Sequence, residues 1–129
     1  MEARQANIEG IGKITLRDLV KQALRMRADR LIIGEVRGVE VIDWLSALNT
    51  GHKGGAGTIH ANSISEVITR FETLGLMAGV SQELIMNQLK NSLDYIIHLE
   101  KDERNLRKVK DIGQFVIENN QLSVQRIEV

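Results

Sequence analysis

Cysteine is absent from this 129-residue sequence, and aromatic residues are scarce. Without cysteine the chain has no disulfide framework, no thiolate ligand for zinc and no cysteine nucleophile. Aromatic residues make up only 3% of the chain, which is too few for a platform on which nucleic-acid bases stack. The 17 basic and 17 acidic residues cancel, so we expect no nucleic-acid partner attracted by charge.

Long apolar segments are missing as well. The strongly apolar stretches are short, such as residues 31–33, and no signal-peptide pattern is found. We therefore expect a cytoplasmic protein whose membrane association, if any, comes through partners. The remaining composition, 43% hydrophobic and 26% charged, is typical of one ordinary globular domain.

Apolar spacing and capping residues predict helices that alternate with short strands. Helices are predicted at residues 15–27 and 39–49 and after the capping serines Ser63 and Ser81. Strands are predicted at residues 30–34, 58–60 and 95–99, followed by a hairpin of residues 109–117 and 122–129. Short strands separated by helices favour a parallel α/β sheet, to which the hairpin adds an antiparallel edge.

The first candidate for chemistry is an acid at the end of the first predicted strand. Apolar residues 31–33 lead to Gly34, Glu35 and Arg37. Ligands bind at the carboxyl edge of open α/β sheets, where a carboxylate can hold a magnesium-bound water or orient an attacking one. On this pattern alone, Glu35 can equally have a structural role, and Arg37 can be a solvated turn residue or the partner of a nearby acid.

Two of the three histidines, His52 and His60, lie beside glycines within nine positions. Glycine lets the backbone approach a ligand closely. Two histidines without a third ligand make a poor zinc site, whereas an imidazole N–H can donate to a phosphate oxygen. The pattern favours a phosphate sensor, and the alternative is a glycine-rich turn with incidental histidines. The third histidine, His98, alternates with apolar residues on a predicted strand and is interpreted as structural.

Three arginines, Arg25, Arg27 and Arg30, crowd the end of the first predicted helix. Cations are favourable at a helix C-terminus, so these side chains can simply complement the helix dipole. The functional alternative is contact with an anion or pairing between subunits.

In this order the segments resemble the secretion ATPase superfamily of type II and type IV secretion and pilus assembly, and above all the CpaF/TadA-type ATPases of tight-adherence pili. The resemblance is dense over residues 4–75 and includes IGEVRG at residues 33–38 and TIHANS at residues 58–63. It implies the C-terminal part of a RecA-like P-loop ATPase domain, with a short, mainly parallel sheet, flanking helices and a C-terminal hairpin. We expect a leading segment at residues 1–13, the RecA-like α/β part at 14–100 and the hairpin at 101–129.

The resemblance also implies roles for individual residues, with ATP and Mg²⁺ as cofactors. Glu35 matches the Walker B acid, which supports the hydrolytic water and holds Mg²⁺ through water. His52 and His60 match the His box, with His60 near the γ-phosphate. We therefore expect the Glu35 carboxylate and the His60 imidazole to project from neighbouring strand ends into one shared hollow of the size of a phosphate. Gly34, Arg37 and His52 are expected to contact the nucleotide.

One family motif is absent, because no Gly-x-x-x-x-Gly-Lys-Ser/Thr segment occurs in the sequence. The backbone amides and lysine that hold the β- and γ-phosphates are therefore missing. We expect the chain to be a fragment without the P-loop and the N-terminal domain, and to be inactive by itself.

The resemblance implies that the parent protein is a hexameric, ATP-hydrolysing motor for secretion or pilus assembly. Such a motor is cytoplasmic, assembles with itself and reaches the inner membrane through platform proteins there. One alternative is a non-catalytic docking module related to these ATPases. Another is a nucleic-acid translocase on a related fold, against which the neutral charge and scarce aromatics count.

Overall fold

A computed structural model describes residues 1–5, 12–52 and 54–128. Its elements in chain order are α1 (Leu16–Arg25), β1 (Ile32–Ile33), α2 (Glu40–Asn49), β2 (Ala56–Gly57), α3 (Glu66–Met77), α4 (Gln82–Ser92), β3 (Tyr95–Lys101), β4 (Arg107–Glu118) and β5 (Gln121–Ile127). Parallel strands, flanking helices and a terminal hairpin confirm the α/β class. No helix among the described residues is both long and apolar enough to cross a membrane.

Local side-chain caps begin two of the helices where the sequence predicts them. At α1 the Thr15 hydroxyl accepts a hydrogen bond from the Asp18 amide, and the Asp18 carboxylate accepts one from the Thr15 amide at 2.9 Å. This capping box satisfies amides that have no partner inside the helix. At α4 the Ser81 hydroxyl accepts from the Leu84 amide in the same way.

Of the capping box that Ser63 and Glu66 could form at the start of α3, only half is present. The Ser63 hydroxyl accepts from the Glu66 amide at 3.3 Å, but the Glu66 carboxylate accepts from the amide of Asn62 instead of Ser63. Helix α3 therefore begins at Glu66, and its N-cap residue Ser65 makes no side-chain cap bond.

Helix α2 lies at the centre of the molecule and packs against α1, α3 and α4. The apolar faces of these helices and the residues around β1 form one core, whose most buried members are Val41, Leu45, Leu74, Ile85 and Leu89. Burial of these side chains away from water is the main stabilising contribution, at about 2 kcal/mol for each large side chain.

The parallel sheet is confirmed, but it is short. Strand β1 pairs with β2 so that Ile32 lies opposite Ala56 and Ile33 opposite Gly57. The second strand, at residues 56–57, lies just before the predicted segment 58–60. The Thr58 amide still donates to the Ile33 carbonyl of β1, and the Thr58 hydroxyl donates to the Gly34 carbonyl. The prediction of a strand over all of residues 30–34 is likewise too long.

The third predicted strand belongs to a different sheet. Strand β3 pairs antiparallel with β4, and β4 pairs antiparallel with β5, so the expectation that residues 95–99 continue the parallel sheet is wrong. The connection between β3 and β4 is short and stabilised locally, since the Asp102 carboxylate accepts the amides of Arg104 and Leu106. The predicted hairpin turn is confirmed: Asn119 and Asn120 both have positive φ, which asparagine tolerates in such turns.

The leading segment, residues 1–13, is described only in part, because residues 6–11 lie outside the described ranges. Its described portion makes an antiparallel bridge between Arg4 and Ile14, with both N–O distances 2.9 Å. This bridge holds residues 1–5 against the start of α1.

Candidate functional site

The site lies where the chain leaves the two parallel strands. The Thr58 amide donates to the Ile33 carbonyl at 3.3 Å, and the Val36 amide donates to the Thr58 carbonyl at 2.8 Å. The Thr58 hydroxyl also donates to the Gly34 carbonyl. These bonds hold the segment after β1 beside the segment after β2, so that polar side chains from both meet at the carboxyl edge of the sheet.

Glu35 is the centre of this group. Its Oε1 lies 3.0 Å from Nε2 of His60, and its Oε2 accepts a hydrogen bond from the guanidinium of Arg37. The Glu35 side chain is 24% exposed, whereas those of Arg37 and His60 are 75% and 83% exposed. The proximity of Glu35 and His60 that the sequence predicts is therefore present.

The same contacts keep the Glu35 carboxyl ionised. The hydrogen bond from Arg37 is the largest cause that lowers the pKa of Glu35 below its ordinary value, and the charges of Arg37 and His60 act in the same direction. Partial burial opposes this shift by disfavouring the charged form. The site therefore presents a carboxylate at neutral pH.

Glu40, the first residue of α2, supports this arrangement and received no role in the sequence analysis. It is 7% exposed, and its Oε1 accepts hydrogen bonds from the amides of Arg37 at 2.8 Å and Gly38 at 2.9 Å. These two bonds hold the loop that carries Arg37 towards Glu35. An acid that begins a helix just after a glycine was the available signal, since helix N-termini favour negative side chains.

Two glycines of the loop before His60 are needed for packing. A Cβ atom built on Gly55 would lie 2.4 Å from Cδ2 of Leu48 and 2.8 Å from the carbonyl oxygen of Leu31. A Cβ atom on Gly57 would lie 2.9 Å from the ring of Trp44. Only glycine lets β2 lie this close to α2 and β1.

The other residues assigned to nucleotide contact are not joined to Glu35 by a side-chain bond. The His52 amide donates to the Ala47 carbonyl at the end of α2, and its ring Nδ1 is buried without a hydrogen-bond partner among the described residues. Gly34 is exposed, and no described atom lies within 4 Å of a Cβ built on it. Lys53, between His52 and the glycines, lies outside the described residues.

The arginines Arg25, Arg27 and Arg30 are exposed and make no ion pair within the part of the chain that the structure describes. Arg25 ends α1, where its charge complements the helix dipole. His98 is largely buried in the antiparallel sheet, with Nδ1 3.4 Å from Oδ2 of Asp111. That contact agrees with a structural role for His98.

Glu35 is the carboxylate at this edge of the sheet that is suited to contact a metal ion through a bridging water. No cluster of three or more histidine, aspartate or glutamate side chains with metal-binding geometry occurs among residues 1–5, 12–52 and 54–128. Both Glu35 oxygens already have a hydrogen-bonding neighbour. This donor set fits contact with Mg²⁺ through water rather than a closed protein site.

A cavity of about 530 Å³ adjoins the site on one side of His60. Its walls come from the loop after β2 and from α3, and Glu35 does not line it. The single hollow expected between Glu35 and His60 is therefore replaced by a direct contact, with the cavity next to it.

Comparison with known proteins identifies relatives over most of the chain. The family model for type II/IV secretion system proteins matches residues 1–123. A conjugal transfer protein of Mycobacterium tuberculosis is 50% identical over 111 residues, which cover 86% of this chain and 32% of the relative. The conjugal transfer protein TrbB of Rhizobium radiobacter is 37% identical over 94 residues, which cover 73% of this chain and 28% of the relative.

A solved structure has the same fold. It is the VirB11 ATPase from the Brucella suis type IV secretion system, in complex with sulphate, with a TM-score of 0.69 and 24% identity. The match covers 78% of this chain and 33% of that protein. The chain thus spans about a third of the length of such relatives.

Proposed function

The chain belongs to the type II/IV secretion system protein family, and on that premise we propose that it carries the Walker B and His-box part of an ATP-hydrolysing motor. The observation that carries this proposal is the contact of Glu35 with Arg37 and His60 at the carboxyl edge of the parallel strands. An ionised carboxylate between an exposed guanidinium and an exposed imidazole is suited to a reaction at a phosphate group.

Glu35 is proposed to orient the attacking water. Each of its oxygens has one neighbour in the structure, and a carboxylate has further lone pairs with which to accept a hydrogen bond from water. Its lowered pKa keeps it in the accepting, charged form. Mg²⁺, when bound with the nucleotide, would neutralise charge on the phosphate oxygens, and Glu35 would contact it through water.

Arg37 and His60 are proposed to face the phosphates. Arg37 has five N–H donors, of which the contact with Glu35 uses only some, and the side chain is 75% exposed. His60 is 83% exposed and touches Glu35, so a phosphate oxygen that binds its imidazole also acts on the carboxylate. His52 and Gly34 remain proposed nucleotide contacts through their place in the matching sequence.

The parent protein is proposed to be a homo-hexamer of the CpaF/TadA type that powers type II/IV secretion or tight-adherence pilus assembly. It would bind ATP and Mg²⁺ with a P-loop that this sequence does not contain, and would act on platform proteins of the inner membrane. The family match and the conjugal transfer relatives support a role in moving macromolecules across the cell envelope.

The test is the substitution Glu35→Gln in a longer protein that contains this chain together with a P-loop. Glutamine keeps the size of the side chain but does not accept a proton from water effectively. We expect ATP binding within a few-fold of the parent and a fall in turnover of about 100-fold or more. Binding is measured with a fluorescent nucleotide, and turnover by release of inorganic phosphate.

The matched control is Glu100→Gln, which removes another carboxylate that is paired with a basic side chain, Lys110, in the antiparallel sheet. We expect this variant to keep both binding and turnover. If Glu35→Gln loses binding and turnover to the same extent, Glu35 has a structural role. If it loses neither, Glu35 does not act in the reaction.

A further inference from the structure

The cavity beside His60 contains a basic side chain that the proposed function does not use. Arg70 lines the cavity together with Glu66 and Thr73, which lie four residues before it and three after it on α3. This spacing places the three side chains on one face of the helix. His60 and Asn62, from the segment after β2, also line the cavity.

Arg70 lacks an acceptor among the described residues. Its Nε atom is buried and has no hydrogen-bond partner there, and the side chain makes no ion pair with a carboxylate of residues 1–5, 12–52 or 54–128. A buried N–H without an acceptor is unfavourable, and a charged one more so. Arg70 lines the cavity, so an anion there would bind the part of its guanidinium that faces the cavity and compensate its charge, and the guanidinium fork matches the oxygens of a phosphate group.

The neighbouring acid, Glu66, forms hydrogen bonds with Asn62 and makes no ion pair with Arg70. Glu66 lies one helical turn before Arg70, yet its Oε2 accepts hydrogen bonds from the amide of Asn62 at 3.2 Å and from its side chain at 2.9 Å. Glu66 thus holds the loop after His60 and leaves Arg70 unneutralised by direct contact. Its charge nevertheless reduces the positive potential of the cavity, which suits an anion that binds briefly and leaves.

From these contacts we propose that the cavity is a transient phosphate site, formed by Arg70 from α3 and His60 from the loop after β2. The inference rests on the proposed function for the origin of the phosphate, which is either the γ-phosphoryl group of bound ATP or the inorganic phosphate that hydrolysis releases. Arg70 holds the oxyanion in the cavity, next to the His60 imidazole. Glu35 contacts this imidazole but does not line the cavity.

Binding is tested by titrating the 129-residue chain with inorganic phosphate and following the Arg70 Nε–H and His60 ring signals by NMR. Sodium chloride at matched ionic strength is the reference. We expect the chemical shifts of both signals to change saturably with phosphate. With sodium chloride we expect no saturable change. Arg70→Gln should weaken the affinity about tenfold, as expected for loss of a charge-assisted hydrogen bond.

Two further variants test whether phosphate affinity follows the charge of the cavity lining. Glu66→Gln, whose amide oxygen can still accept from Asn62, should tighten phosphate binding because it removes a negative charge from the cavity wall. Arg104→Gln removes an exposed arginine in the turn between β3 and β4 and should leave the affinity unchanged. Unchanged Arg70 Nε–H shifts in the parent chain, or equal weakening by Arg70→Gln and Arg104→Gln, would overturn the proposal even if Arg70→Gln folds poorly.

The origin of the phosphate is distinguished in the longer protein with its P-loop. A response of the Arg70 signal to a non-hydrolysable ATP analogue alone identifies the γ-phosphoryl group, whereas a response only to inorganic phosphate added with ADP identifies the released product. A response to neither would overturn the proposal. Failure of the proposed function would appear separately, as full turnover in Glu35→Gln, and would leave the phosphate titration of this chain unaffected.

Discussion

Replacing Gly55 by alanine tests whether close packing of β2 holds the site together. The added Cβ would lie 2.4 Å from Cδ2 of Leu48 and 2.8 Å from the carbonyl oxygen of Leu31, whereas carbon atoms in contact are about 3.5–4 Å apart. Leu48 is 5% exposed and has little room to move away. The Leu31 carbonyl accepts the Ala56 amide at 3.1 Å, so moving it weakens the pairing of β1 with β2.

Overpacking of this kind lowers the free energy of unfolding by about 1–3 kcal/mol. For a small domain with a urea dependence of about 1–3 kcal/mol per M, the unfolding midpoint should fall by roughly 1 M. The assay is urea unfolding followed by circular dichroism. Gly34→Ala is the matched control, because no described atom lies within 4 Å of its Cβ, and it should shift stability by about 0.5 kcal/mol or less.

Equal midpoints for Gly55→Ala and Gly34→Ala would refute the reasoning, because they would show that Gly55, the residue before β2, does not lie against Leu31 and Leu48 as described. The chemical shift of the His60 ring is a second measurement of the same packing. We expect it to change in Gly55→Ala, since the contact of His60 with Glu35 depends on the same strand pairing.

Three further outcomes are expected. Arg37→Gln should raise the pKa of Glu35 towards its ordinary value of 4.5, measured by NMR titration of the carboxyl carbon, because the Arg37 hydrogen bond is the main cause of the lowering. The stability that this ion pair contributes is present above the ordinary pKa of Glu35 and is lost as the pH falls through the lowered pKa. An unchanged pKa of Glu35 in Arg37→Gln would contradict the contact between the two side chains. Glu40→Ala should lower the free energy of unfolding by about 2 kcal/mol in a denaturant titration, because two amides of its loop lose their acceptor, and a neutral effect would count against this support. The 129-residue chain alone should show no magnesium-dependent release of phosphate from ATP, and measurable turnover would show that the P-loop is dispensable.

Much of the local structure could be predicted from neighbouring residues. The capping box of Thr15 and Asp18, the cap at Ser81 and the turn at Asn119 and Asn120 all depend on bonds within four positions of the chain. Such short-range chemistry is readable in a sequence because the partners are always near one another. The same holds for an apolar strand that ends in an acid.

Residues far apart in the chain decided the rest, and the sequence does not state which of them meet. Pairing of β3 with β4 rather than with the parallel strands depends on a register that apolar alternation alone does not select. The burial of Glu40 and the unpartnered Nε of Arg70 depend on how α2 and α3 pack.

The sequence by itself determined the family resemblance, the starts of the capped helices and the candidate residues for a reaction at phosphate. Only the tertiary structure decided that Glu35 touches both Arg37 and His60, and that a cavity lined by Arg70 lies beside them. The physical reason is distance along the chain. Caps and turns form between neighbours, whereas a site is made of side chains that meet only after strands have paired and helices have packed.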